Sequence, residues 1–140
     1  MKLPSVLRLA LLAAAALVAA CAETPSTSVN LYLNGANEVP PVSTKATGTG
    51  TIVINPDLTL SGSIRTTGVA GTVAHIHQGM AGSNGPVIVP LEKDGDGGWK
   101  VPAGAKLTPE QFQTFKSGGL YVNVHSVANK GGEIRDQLRP

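Results

Sequence analysis

Leu58-Thr-Leu-Ser-Gly-Ser-Ile-Arg65 sets Leu58, Leu60, Gly62 and Ile64 against Thr59, Ser61, Ser63 and Arg65. A period of two means a strand with one buried face, because successive side chains point to opposite sides of a sheet. Just before it, Asn55-Pro-Asp57 is turn chemistry, and Gly50–Ile54 reads as the preceding strand. The two form a hairpin. Working outward, further short strands are expected at Val29–Asn34, Thr72–Gln78, Pro86–Leu91, Leu120–Ser126 and Glu133–Leu138. A weaker one follows the turn Asp94-Gly-Asp-Gly-Gly98, at Trp99–Val101. One helix interrupts the series. Thr108-Pro-Glu-Gln111 offers a hydroxyl cap, a proline at the first helical position and a glutamine three residues after the cap. Phe112 and Phe115 share a face of this helix, and Gly118-Gly119 can end it, so it reads as a packing lid over a sheet edge. Short strands separated by turns at about 8–12-residue spacing predict an all-β fold, an antiparallel sandwich or barrel with one short helix.

The chain has 140 residues, which suits one domain, and its 17 glycines and 10 prolines exclude a long-helix protein. A single cysteine excludes an internal disulfide and a cysteine-based zinc site. That cysteine, Cys21, follows a leader. Lys2 and Arg8 precede Leu9–Ala20, twelve residues without a polar side chain. This is the length of a signal-peptide apolar region and too short for an ordinary spanning helix. Val18-Ala-Ala-Cys21 resembles the bacterial lipobox, in which the thiol receives diacylglycerol and the chain is cut before the cysteine. The expectation is a lipoprotein signal peptide over 1–20, a lipidated Cys21 with a polar tether over 21–28, and a domain over 29–140. Two or three acyl chains anchor stably where one does not. The tether reaches roughly 20 Å, which keeps the domain near its membrane. Ala22 after the cysteine resembles outer-membrane sorting, so the expected location is the bacterial cell envelope, lipid-anchored.

The formal charge of +2 belongs to that leader. Without Lys2 and Arg8, eleven basic residues become nine, against nine acidic ones. No cluster of lysine or arginine remains, and nucleic-acid binding loses its electrostatic basis.

The chemistry rests on three histidines. His75 and His77 are two apart on a predicted strand, so they share a face with about 6.6 Å between their backbones. On the later strand Leu120, Val122 and Val124 form one face, and Tyr121, Asn123 and His125 the other. All three histidines thus lie on faces turned from the main core. If the strands are neighbours, three imidazoles meet. Such a site suits copper first and zinc second, with an open position for water or a small ligand. Three random histidines give such a pair in roughly 4% of chains this size, so spacing alone leaves the metal and metal-free readings level. Met80 reads as loop packing, with a soft axial copper ligand as the alternative. Glu133 and Arg135 share a strand face and read as a surface ion pair, or Arg135 steers an anion. No nucleophile elbow, Walker loop or dinucleotide fingerprint is present, and Gly79–Gly85 reads as a hairpin loop.

Leu33-Asn-Gly-Ala-Asn-Glu-Val-Pro-Pro-Val42 and Ala46-Thr-Gly48 resemble the opening of a CHRD domain, the module named after chordin. Ala74-His-Ile-His77 with Asn84-Gly-Pro-Val-Ile-Val89 resembles its middle. Leu107-Thr-Pro109, Tyr121-Val-Asn-Val-His125, Gly132-Glu-Ile-Arg135 and Gln137-Leu138 resemble its end. Asp136 departs from the pattern, which often has glycine there. The resemblance implies an all-β, immunoglobulin-like domain of secreted or envelope proteins, without an established activity. The His-x-His strand and the late Val-x-Val-His are also similar to the copper ligands of Cu/Zn superoxide dismutase, itself a sandwich. Carried over, His75, His77 and His125 would be copper ligands, with no zinc-ligand cluster beside them. Three functions follow, in order: a metal-binding envelope lipoprotein, a structural or protein-interaction module without metal, and a copper-dependent oxidoreductase acting on superoxide.

Overall fold

The computed structural model describes residues 24–140. The expected signal peptide and Cys21 lie outside the described residues. Strands run β1 Thr27–Asn34, β2 Thr47–Ile54, β3 Leu60–Thr67, β4 Gly71–Gln78, β5 Val87–Pro90, β6 Glu92–Lys93, β7 Gly98–Lys100, β8 Leu120–Ser126 and β9 Ile134–Leu138, with helix α1 at Pro109–Lys116. The all-β antiparallel architecture with one short helix is thus as expected. The strands form one sheet, in the order β5-β4-β8-β9-β1-β2-β3-β7-β6. The predicted hairpin is β2–β3, with Gly50 opposite Ile64. Gly50 has no alternative there, since a Cβ would collide with the Ser63 carbonyl oxygen.

The sheet nearly closes on itself. β5 and β6 stand at opposite ends of the strand order, yet only Leu91 separates them in the chain. The Leu91 N–H donates to the Ala74 carbonyl of β4 at 2.9 Å, while Glu92 and Lys93 pair with β7. One short segment therefore bridges both ends and leaves little free edge. Alternation supplies the interior: Val29, Leu31 and Leu33 from β1, Ile52 and Ile54 from β2, and Leu120, Val122 and Val124 from β8 are all buried.

Helix α1 has the expected capping box, Thr108 Oγ accepting from the Gln111 N–H at 3.1 Å and Gln111 Oε1 accepting from the Thr108 N–H at 2.8 Å. Phe115 drops into the interior from it. No described helix is long and apolar enough to cross a membrane.

One expectation gains a detail and one needs correction. Every residue of β8 is buried, so the face bearing Tyr121, Asn123 and His125, turned from the main core as expected, is itself covered. Arg135 is 1% exposed and forms no surface pair with Glu133, whose carboxylate accepts from Thr44 instead. The reason is common to both. The loop between β4 and β5 and the loop between β8 and β9 fold over the outer face of β4, β8 and β9 and bury a second, polar layer.

Candidate metal centre

β4 and β8 are neighbours, pairing His75 with Asn123, His77 with Tyr121 and Val73 with His125. That register brings the three histidines together across one strand boundary. One nitrogen from each of His75, His77 and His125 lies within 4.8 Å of the other two. His77 Nδ1 donates to the Gly85 carbonyl at 2.9 Å, and His125 Nδ1 donates to the Lys130 carbonyl at 2.9 Å. A carbonyl only accepts, so each Nδ1 carries the proton and each Nε2 is a bare lone pair. Metal-binding imidazoles are oriented in this way, the far nitrogen held by a backbone carbonyl.

His75 turns its Nδ1 to His125 Nε2 at 3.0 Å. With that Nε2 bare, His75 Nδ1–H is the donor, and moving its proton to Nε2 frees a third lone pair. His77 Nε2 is buried and has no hydrogen-bond partner. An orphaned buried lone pair is costly unless something binds it. Burial lowers the pKa of His75 to about 4, with His125 and His77 adding to the shift. Burial also lowers His77, against its bond to Gly85. Both are therefore neutral near pH 7, the protonation state a metal requires.

The covering loops hold this arrangement. Arg135 donates to the carbonyls of Met80 and Ser83 at 3.1 and 2.9 Å and to Asn84 Oδ1 at 3.2 Å. Gln137 Nε2 donates to the Gly79 carbonyl at 2.7 Å, and the Gly85 N–H donates to the Tyr121 hydroxyl at 3.2 Å. The strands β8 and β9 thus pin the loop whose Gly85 carbonyl aims His77. Gly85 is required, since a Cβ would collide with the Gln78 carbonyl. Met80 is exposed, and its sulfur packs by Gly119, in keeping with loop packing.

Sequence reasoning placed the histidines and missed their surroundings. Glu38 is 4% exposed, and burial raises its pKa to about 7 against the opposing pull of Arg135 and Asn123. Asn123 bears on the proton affinity of both Glu38 and His77, so it stands between them. A signal was available. Tyr121, Asn123 and His125 alternate with Leu120, Val122 and Val124, and Arg135 and Gln137 do the same beside Ile134 and Leu138. Neighbouring strands that repeat uncommon polar residues on one face mark a second layer. A cleft of about 390 Å³ opens past Arg135, beside Glu38, Asp136 and Arg139, and the histidines do not line it.

An antiparallel, nearly closed β domain with three converging imidazoles on its outer face is the class of molecule defined here. The CHRD domain family model matches residues 29–138, and the chain belongs to that family. No curated protein and no solved structure matches it.

Proposed function

We propose that this protein is a cell-envelope lipoprotein whose CHRD domain binds a transition-metal ion through His75, His77 and His125. Copper is the first candidate and zinc the second, following the affinity order for nitrogen sites. The convergence of three nitrogens within 4.8 Å carries this reading, with two imidazoles locked so that Nε2 is bare. The similarity of His-x-His and Val-x-Val-His to superoxide dismutase copper ligands supports copper. The ion would be buffered, sequestered or passed to another envelope protein, and an acylated Cys21 would hold the domain at the membrane. The test is to load the purified chain with copper and measure stoichiometry and the electron paramagnetic resonance spectrum. One ion per chain is expected, lost in the H75A/H77A variant. Retention of that stoichiometry in the variant would sink the reading.

The 3.0 Å contact of His75 with His125 favours a second reading, in which the histidines only tie the outer layer together. It predicts no stoichiometric metal and a destabilised H75A/H77A variant under chelating conditions.

A further inference from the structure

We propose that Arg135, acting through Tyr121, makes monovalent copper the preferred cargo of the three-histidine site. This rests on the metal-binding reading above and deepens it. Three planar groups on three adjacent strands form a column. The guanidinium carbon of Arg135 sits 3.4 Å from the centre of the Tyr121 ring. On its other side Tyr121 stacks on His77, with centroids 4.7 Å apart and planes 1° from parallel. Arg135 on β9 and His77 on β4 thus face each other across the phenol of β8.

The charge in this column lacks a bound counter-ion. Arg135 donates to Asn84, Met80, Ser83 and Gln137, and every one of these acceptors is neutral. The acid that acts on it is Glu38, whose pKa burial raises to about 7, so near neutral pH it offsets the guanidinium charge only in part. The ligands are neutral too, and among the described residues no carboxylate joins the cluster. An ion held there keeps its whole charge, between His77 and His125 that are buried and His75 that is half-buried. The cost of burying an ion rises with the square of its charge, about fourfold from one unit to two. Arg135 adds to this. At about 10 Å and an effective dielectric of about 20, each further unit of positive charge is disfavoured about tenfold. Geometry points the same way. Divalent copper seeks a tetragonal set of donors, and the three converging imidazoles fall short of that set, whereas a closed-shell monovalent ion makes no such demand.

The test measures affinity of the full purified chain for each copper ion separately. Monovalent copper, kept reduced with ascorbate, is titrated against a chromophoric chelator; divalent copper is titrated against glycine. The wild type is expected to hold monovalent copper more tightly, with a reduction potential above that of the aqueous couple. R135Q should narrow the ratio of the two affinities about tenfold, a fall of about 60 mV for one electron. R135K, which keeps the charge, should preserve the ratio. Arg135 also anchors the loop that aims His77, so the wild-type potential is the measurement that needs no variant. A wild type that prefers divalent copper overturns the inference while leaving the metal reading intact. A folded R135Q with the wild-type ratio overturns the role of Arg135. Failure to bind either ion overturns copper as the cargo and leaves only zinc to the metal reading.

Discussion

His77 gives its Nδ1 proton to Gly85 and keeps Nε2 bare in the interior. The strand supplies the direction, and the loop supplies the tautomer. Glu38 has the opposite problem, an acid whose burial disfavours its charge more than Arg135 and Asn123 favour it. Burial raises its pKa from 4.5 to about 7. Between those values the native state binds more protons than the unfolded state, so this group's contribution to stability falls as pH rises from 4.5 to 7. His75 acts in the other direction. Its pKa falls from 6.5 to about 4, so stability is lost as pH drops through that window. An E38Q variant separates the two. Measured by urea unfolding with chelator present, E38Q should gain on the wild type by up to about 3 kcal/mol as pH rises from 4.5 to 7. The His75 effect is common to both chains and cancels in the difference. Parallel pH profiles would show that Glu38 is not held protonated.

Among the elements, α1 and β8 show where sequence reading succeeds and where it stops. The helix is specified locally. Thr108→Ala removes an N-cap bond and should lower stability by about 1 kcal/mol. Phe115→Ala empties a filled interior position and should cost about 3–5 kcal/mol. Thermal unfolding of both variants checks this ranking; equal losses would mean that the helix is not anchored by Phe115. Strand β8 lies at Leu120–Ser126, as its alternation indicates, because period two is a property of a few neighbouring residues. What covers its outer face is not local. Arg135 meets Met80 and Ser83 across more than fifty residues, and nothing in the strand's own pattern marks those contacts. Hence the two strands that bring the histidines together are legible in the sequence, and the burial of Arg135 is not. The short strand β6 escaped notice for a related reason. Two residues, Glu92 and Lys93, are too few to show a period.

At the scale of the whole molecule, the order of the chain sets the reach of the proposed anchor and couples the sheet to itself. Strand β1 begins at Thr27, a few residues after Cys21, so an acylated Cys21 leaves the domain little reach. Substituting Cys21→Ser should move the protein from the membrane to the soluble fraction without changing the metal stoichiometry of the folded domain. Fractionation followed by metal analysis checks both halves, and a C21S protein that still sediments with membranes would remove the lipid anchor from the proposal. Closure has its own consequence. Residues 87–93 work as the zip of a sleeve, holding β4 with one half and β7 with the other. If that zip opens, β4 and β7 each lose one neighbour at the same moment, and each offers a row of unpaired amides to other chains. Peeling of seven residues is therefore a route to self-association that leaves the core intact, and a stabilising mutation placed in that zip would act on it directly.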